Sequence, residues 1–350
     1  MSEKTTILAL DLGGSKMLSA LVDVFVSASG ERKTALRGVA RRALAKDAGR
    51  DGVWRAILDA TAETFEQTGE SWENVASIGA TIPGVADPSR GYWVYAPFSG
   101  IADFPLADEL RARFGKPVFA DNDVNACAWA EKVFGACQGV DNFVWITISN
   151  GIGGGLVLDG KVYAGKFSGA AEIGHFNVVE NGAPCGCGNR GCLEATAAGP
   201  GIARRYRELV KDVFSGGDAA SSGLRGDWLR YLTSTGVSAN AELELAQSAT
   251  AATIAEEAKR GNPLAIKVYD DTGRYVGRAA SYAANLVNPE KIVIGGGVAG
   301  SFDLFYPALW ETFERCLFKA TNQTLTIEKT GLGYEAGLMG AAALAFSPYC

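Results

Sequence analysis

The sequence of 350 residues lacks the features that mark membrane-spanning, secreted and nucleic-acid-binding proteins. It has no run of about 18 apolar residues, which excludes a conventional transmembrane helix. Its first residues lack the basic segment and long apolar core of a signal peptide. Basic residues are not in excess, since 33 Lys and Arg stand against 39 Asp and Glu, and the resulting net charge of −6 argues against binding to nucleic acids or membrane surfaces. We therefore expect a cytoplasmic protein.

Histidine is almost absent, whereas cysteine is concentrated in one place. His175 is the single histidine of the chain, and three of the seven cysteines (Cys185, Cys187 and Cys192) fall within eight residues. In a reducing compartment, such crowding indicates metal ligation rather than disulfides. The length predicts roughly two domains. The apolar share of 47% and the charged share of 21% are those of an ordinary globular protein.

The order of predicted elements indicates an α/β fold with two similar lobes. In each lobe a strand, a glycine turn and a second strand come first, at 6–24 and again at 143–158. We place the first lobe at 1–122 and the second at 123–334, with the final helix of 335–350 packing on the first lobe. Periodicity predicts the remaining elements. Helices are expected at 53–65, 105–114, 202–214, 241–259, 263–286 and 335–346, and strands at 75–82, 118–120, 291–294 and 325–328.

Three glycine-rich turns follow apolar strands and together indicate a nucleotide site. They are Asp11-Leu-Gly-Gly-Ser-Lys16, Asn150-Gly-Ile-Gly-Gly154 and Gly295-Gly-Gly297. Glycine allows backbone N–H groups to approach a phosphate closely, although each turn alone is typical of a plain hairpin. No P-loop motif is present. Asp11, at the end of its strand, is predicted to contact Mg²⁺ through water, the alternative being a carboxylate that caps the turn.

A polar cluster, Asp121-Asn-Asp-Val-Asn125, lies between a predicted strand and a predicted helix. Four polar side chains within five residues suit the recognition of several hydroxyl groups. One carboxylate of the cluster would then act as general base toward an alcohol. The alternative is a helix cap, and we predict Asp123 as the N-cap of the following helix.

The most specific pattern is H-x9-C-x-C-G-x2-G-C-x-E. One imidazole and three thiolates form the four-ligand set of a tetrahedral zinc site, so His175, Cys185, Cys187 and Cys192 are predicted zinc ligands. No ligand position remains for an activated water, so the zinc would be structural. Two glutamates, Glu172 and Glu194, flank the ligands and would be held rigidly by the metal. The alternatives are three unrelated buried cysteines and two solvated surface charges.

These motifs closely resemble those of the ROK family of repressors and sugar kinases, within the actin-like hexokinase superfamily, from Leu8 to about Ala345. The resemblance implies two ribonuclease-H-like lobes that close on the substrate across a cleft, a structural zinc site and a homodimer. It implies that Asp123 is the catalytic base. It further implies sugar contacts by Asn122, Asp123, Glu172, His175 and Glu194, and ATP contacts by Asp11, Gly13, Gly14, Ser15, Lys16, Asn150, Gly151, Gly296 and Gly297.

Repressors of the family carry a helix-turn-helix segment before the first phosphate strand, where this sequence has six residues. We therefore expect an ATP-dependent hexose kinase that forms a hexose 6-phosphate, with ATP, Mg²⁺ and structural Zn²⁺. Glucose is the leading substrate, while N-acetylmannosamine, N-acetylglucosamine, mannose, fructose and allose stay open. The alternative is a non-catalytic, sugar-responsive regulator.

Three residues depart from the common glucokinase pattern: Thr81, Phe98 and Asn150. The first two affect the expected sugar, whereas Asn150 lies in a loop that works mostly through its backbone, so ATP binding is expected to persist. Trp93, Tyr95 and Phe98 are predicted either to line the sugar side or to be ordinary core or surface aromatics. No role is assigned to residues 215–241.

Overall fold

The structure is a computed structural model that describes residues 3–45, 48–96, 100–217 and 223–349. The chain divides into two compact units. The first unit contains Met1–Trp145, Gly154–Ala171 and Thr330–Cys350, and the second contains Ile146–Gly153 and Glu172–Lys329. Residues 123–145, which the sequence analysis placed in the second lobe, therefore belong to the first unit, because the helix that they open packs on the first sheet and on the final helix.

The described residues up to 145 form mainly strands, with three α-helices. In chain order these elements are β1 (Glu3–Leu12), β2 (Lys16–Val26), β3 (Arg32–Ala43), α1 (Gly49–Thr68), β4 (Val75–Ile82), β5 (Val85–Asp87), β6 (Tyr92–Ala96), β7 (Ile101–Phe104), α2 (Leu106–Phe114), β8 (Val118–Asn122) and α3 (Asp123–Val133). The later elements are β9 (Phe143–Ile148), β10 (Ile152–Leu158), β11 (Lys161–Val162), α4 (Leu193–Ala197), α5 (Gly199–Ser215), α6 (Leu224–Thr235), α7 (Ala239–Ser248), α8 (Ala251–Lys259), α9 (Pro263–Val287), β12 (Lys291–Gly295), α10 (Phe302–Cys316), β13 (Thr326–Lys329) and α11 (Ala336–Phe346).

The first sheet has the strand order β3-β2-β1-β4-β8, with β1, β4 and β8 parallel to one another. Both of its faces are covered, which explains the unbroken apolar run at 7–10 in β1. Leu8 and Leu10 pack in one core with Ile57 of α1, whereas the alternate residue Ile7 packs in a second core with Leu344 of α11. This alternation assigns each face of the sheet its own helices.

Helix α11 returns from the end of the chain to the first sheet. Gly79 of β4 makes this close approach possible, because a Cβ atom at that position would lie only 1.7 Å from the carbonyl oxygen of Ala341. The small residues of α11 are buried along nearly its whole length. The first sheet is therefore completed by residues that lie more than 200 positions away from β8 in the chain.

The second sheet has the order β11-β10-β9-β12-β13, with β12 and β13 parallel. In the second unit, α9 and α10 pack at short distance through two glycines. A Cβ atom at Gly273 would lie 2.2 Å from Phe305 O, and one at Gly277 would lie 2.3 Å from Leu309 O. A third small sheet, β5-β6-β7, belongs to the first unit. No helix in the described parts of the chain is both long and apolar enough to cross a membrane.

Several elements differ from the sequence-based prediction. The helix predicted at 241–259 is two helices, α7 and α8, because Thr250 and Thr253 form a capping box that starts a new helix. β3, α6 and α10 had not been predicted. Residues 215–241, to which no role was assigned, include 218–222, which lie outside the described residues, and α6 begins at Leu224.

Candidate functional site

Three polar residues stand in register where parallel strands of the first unit end. Asp11 of β1 pairs with Thr81 of β4, and Thr81 pairs with Asp121 of β8. The Thr81 hydroxyl donates to Asp11 Oδ1 at 2.8 Å and accepts from the backbone N–H of Leu12 at 3.1 Å. Thr81 therefore fixes the direction of the Asp11 carboxylate, a role that the sequence analysis had not predicted.

The Asp11 carboxylate lies against the start of α11. A Cβ atom at Gly337 would lie 2.4–2.5 Å from the three carboxyl atoms of Asp11, so only glycine leaves room for this approach. Burial raises the pKa of Asp11, while the bond from Thr81 and the charge of Lys16 act in the opposite direction. A buried carboxylate of this kind favours a nearby cation.

Asn122, rather than Asp123, is the N-cap of α3. Its side-chain oxygen accepts from the N–H groups of Val124 at 2.9 Å and Asn125 at 3.2 Å. The prediction that Asp123 caps this helix was therefore wrong by one residue. The Asn122 amide donates to Gly84 O at 2.9 Å and to Asp123 Oδ1 at 3.1 Å, so it links the small sheet to the helix start.

Asp123 is a half-buried carboxylate in the first turn of α3. Burial and the negative charge of Asp11 raise its pKa to about 7, although the bond from the Val124 N–H opposes the shift. A carboxylate with a pKa close to neutrality can exchange a proton with an alcohol or water near neutral pH. Of the carboxylates in this corner, Asp123 therefore has the properties required of a general base.

The first glycine turn is a tight reversal between β1 and β2. The Gly13 N–H donates to Lys16 O at 2.9 Å, and Gly14 and Ser15 are exposed at its tip. The Lys16 ammonium donates to the Tyr334 hydroxyl at 2.7 Å and lies 4.5 Å from the centre of that ring. The turn therefore presents its backbone to solvent, while its lysine contacts an aromatic side chain just before α11.

The second and third glycine turns lie next to each other in the second unit. The Ser149 N–H donates to Gly151 O at 2.8 Å, which closes the turn that holds the exposed Asn150. Gly296 has a φ of 86°, and a Cβ atom there would lie 2.5 Å from Ile148 O at the end of β9. Gly297 faces Ser149, whose hydroxyl would lie 3.6 Å from an added Cβ.

The four predicted metal ligands come together in the second unit. The ligand atoms of His175, Cys185, Cys187 and Cys192 all lie within 4.8 Å of one another. His175 Nδ1 is 3.7 Å from Cys185 Sγ, and Cys187 Sγ is 3.7 Å from Cys192 Sγ. Two thiolates on a tetrahedral zinc with bonds of about 2.3 Å would be about 3.8 Å apart, so the spacing of the sulfur atoms fits that metal.

The protonation of the thiols also fits a cation at this position. A backbone hydrogen bond from Asn189 and a contact with Cys185 lower the pKa of Cys187. Burial and the neighbouring thiols raise the pKa of Cys192 to about 12. Three thiols this close resist simultaneous ionisation unless a positive charge compensates them, and a bound divalent metal provides that charge.

The glutamates that flank the ligands have different surroundings. Glu172 is exposed, and its Oε2 lies 3.8 Å from His175 Nε2, the ring nitrogen opposite the one that faces Cys185. Glu194 Oε2 accepts a hydrogen bond of 3.0 Å from the N–H of Ile152, directly after the second glycine turn. Gly174 approaches the carbonyl of the same Ile152, since an added Cβ would lie 2.0 Å from it. The metal-binding segment and the second glycine turn are therefore in contact.

Of the aromatic residues predicted to line the sugar side, the two that the structure describes differ in exposure. Trp93 is fully buried in a core of the first unit, which corrects that interpretation and supports the alternative of an ordinary core residue. Tyr95 is 51% exposed on β6. Phe98 lies outside the described residues.

The chain is similar to known proteins over almost its whole length. The family model described as "ROK family" matches residues 7–347. The glucokinase of Thermotoga maritima is 31% identical over 342 residues, which are 97% of each chain. The crystal structure of a ROK family glucokinase from Streptomyces griseus in complex with glucose and AMPPNP superposes with a TM-score of 0.73 at 29% identity, covering 97% of this chain and 99% of that one. The regulator NagC of Escherichia coli is 29% identical over 289 residues, 83% of this chain and 64% of NagC.

Proposed function

The chain belongs to the ROK family, and from that premise we propose that it transfers the γ-phosphoryl group of ATP to a hydroxyl of a hexose. Its glucokinase relatives support an ATP-dependent sugar kinase. We propose glucose as the substrate and glucose 6-phosphate as the product. The similarity to a glucokinase that binds glucose and an ATP analogue supports this choice.

The environment of Asp123 is the observation that carries the proposal. The carboxylate is half-buried, stands in the first turn of α3, and has a pKa raised to about 7. A base with this pKa accepts the proton of a sugar hydroxyl efficiently at neutral pH. The hydroxyl oxygen then attacks the γ-phosphorus, the bond from that phosphorus to the β,γ-bridging oxygen breaks and ADP leaves, while the proton remains on Asp123. Phosphoryl transfer depends mainly on such positioning and on charge neutralisation.

The nucleotide is proposed to bind at the glycine turns. The backbone of Gly13, Gly14, Ser15 and Lys16 would contact phosphate oxygens, as would that of Asn150 and Gly151, with Gly296 and Gly297 on the adenosine side. Asp11 would hold Mg²⁺ through water, and the metal would neutralise phosphate charge when bound. The fit lies in Asp11 itself, a carboxylate oriented by Thr81 beside a position where only glycine fits.

The sugar is proposed to be held by Asn122, Glu172, His175 and Glu194. His175 presents Nδ1 to the thiols, so its Nε2 side, next to Glu172, is available to a ligand. A structural zinc on His175, Cys185, Cys187 and Cys192 would fix that ring without taking part in the reaction. We also propose that both units are ribonuclease-H-like, which the order β3-β2-β1-β4-β8 supports for the first unit.

A coupled assay of ADP release against a panel of hexoses and N-acetylhexosamines tests the proposal. We expect turnover with glucose in the wild-type protein. Asp123→Asn should abolish turnover, whereas glucose binding measured by calorimetry should persist. Glu66→Gln removes an exposed carboxylate from α1 of the same unit and serves as the matched control. Near-normal kcat in Asp123→Asn would remove this residue from the mechanism.

A second candidate function is that of a sugar-responsive regulator without catalysis. The similarity to NagC supports it, because that relative is a DNA-binding regulator. Sugar binding without ADP release in the same panel would favour this function over the kinase. Turnover of an N-acetylhexosamine in preference to glucose would instead retain the kinase and change its substrate.

A further inference from the structure

Asp121 is a buried carboxylate to which the proposed reaction gives no role. It has no exposed surface and directly precedes Asn122 in β8. Its Oδ1 accepts a hydrogen bond of 2.6 Å from the backbone N–H of Asn122. Its Oδ2 accepts one from the phenol of Tyr349, in the segment after α11. Each oxygen of this buried group therefore has a donor, as a desolvated carboxylate requires.

Tyr349 is itself held in place by the helix that begins with Asp123. Trp129 of α3 donates through Nε1 to Ser347 O at 2.7 Å. The ring of Tyr349 meets the ring of Trp129 edge-on, with 4.9 Å between the two centres. Trp129 is only 8% exposed, and Tyr349 is half-buried. The segment around Tyr349 is therefore fixed to α3, and its phenol points to Asp121 from a defined position.

We propose that Tyr349 is a positioning residue for the sugar-binding corner and that it acts through Asp121. The inference rests on the proposed function. The Tyr349 phenol donates a hydrogen bond to Oδ2 of Asp121 and so fixes the orientation of this carboxylate. In that orientation Oδ1 accepts the hydrogen bond from the N–H of Asn122. That bond fixes the backbone from which the Asn122 side chain caps α3 and from which the Asp123 carboxylate projects. A displacement of about 1 Å in such groups can lower the rate by up to about 100-fold.

Tyr349→Phe tests the proposal because it removes the hydroxyl and keeps the ring that packs on Trp129. We expect kcat to fall about tenfold and the sugar KM to rise about fivefold, while the KM for ATP changes less than about twofold. A purely structural role would lower the melting temperature or the active fraction without this selectivity. Tyr163→Phe is the control, because Tyr163 lies in the same unit and is 54% exposed. This variant should change neither kcat nor the sugar KM.

Asp121→Asn then tests the route. A carboxamide replaces one accepting oxygen with a donating NH2 group, so with the Asn122 N–H on its oxygen it can no longer accept the bond that the Tyr349 phenol donates to the carboxylate. We expect Tyr349→Phe to add less than about twofold to the loss of kcat in Asp121→Asn. Additive losses would overturn the route through Asp121, and an unchanged kcat and sugar KM in Tyr349→Phe alone would overturn the proposal. Absence of turnover in the wild-type protein would overturn the proposed function itself. Normal turnover in both the wild-type protein and Tyr349→Phe would overturn only the role of Tyr349, so the two failures are distinguishable.

Discussion

The raised pKa of Asp123 predicts that this residue lowers the stability of the folded protein above neutral pH. The folded protein binds its proton with a pKa of about 7, compared with 3.8 for an ordinary aspartate. Between these pH values the folded state therefore binds more protons than the unfolded chain does. The free energy of unfolding consequently falls as pH rises from about 4 to 7. Asn resembles the neutral acid in shape and carries no charge, so Asp123→Asn should remove this penalty.

The size of the effect follows from the difference between the two pKa values. At about 1.4 kcal/mol for each tenfold change in proton affinity, the difference sets a ceiling of about 4 kcal/mol. Asp123 is partly exposed and interacts with Asp11, so solvent screening reduces the expected gain at pH 8 to about 1–2 kcal/mol. For a protein of this size, that gain corresponds to an increase of about 1–3 °C in melting temperature.

Thermal unfolding of Asp123→Asn and wild-type protein, followed at pH 5 and pH 8 without nucleotide, measures the effect. We expect a stabilised variant at pH 8 and a gain only about a third as large at pH 5, where part of the difference in proton binding has already been expressed, with Glu66→Gln near zero at both. A variant that is no more stable at pH 8, or equally stabilised at both pH values, would refute the reasoning. The charge that destabilises the fold is the one that the proposed proton abstraction requires, a conflict that is common at active sites.

Three further predictions concern the metal and nucleotide sites. Cys187→Ser should remove one of the four predicted zinc ligands. Elemental analysis should therefore find about one zinc per chain in the wild-type protein and well below one in the variant. Zinc-free wild-type protein would contradict the predicted site. Gly337→Ala should displace the carboxylate of Asp11, because the added Cβ would lie 2.4–2.5 Å from it. We expect the Mg²⁺ concentration for half-maximal activity to rise about tenfold. An unchanged Mg²⁺ titration would contradict this contact. Thr81→Val should lower the free energy of unfolding in urea by about 1–2 kcal/mol, because it removes the hydroxyl that bonds to the Leu12 N–H and to Asp11. Thr81→Ser keeps a hydroxyl and should retain most of the wild-type stability. Equal losses in both variants would assign the effect to packing.

The parts of the site that were predictable from sequence are those encoded by local spacing. The four predicted metal ligands fall within 18 consecutive residues, and the structure brings their ligand atoms together. The second and third glycine turns follow buried strands that were predicted correctly, and neighbouring strands place them side by side. In both cases the pattern of the chain and its fold agree over short distances.

The features that sequence reasoning missed depend either on residues far apart in the chain or on local patterns that are not typical of the element they form. β3 is a largely exposed edge strand rich in arginine, so it lacks the apolar pattern of a buried strand. The contact between Glu194 and Ile152 joins residues 42 positions apart, and no spacing rule indicates it. The choice between Asn122 and Asp123 as N-cap depends on one residue of strand length, which sequence patterns do not resolve.

The position of α11 has a consequence for biosynthesis. A ribosome releases β1, β4 and α3 long before it releases α11, yet Ala341 and Leu344 of that helix share a core with Ile7 and Ala9. Until then, one face of the nascent sheet is covered by α3 but not by α11, and chaperones that recognise apolar surface have a long interval in which to bind the uncovered part. Translation speed over the preceding 200 codons should therefore influence how much of the protein reaches the native state.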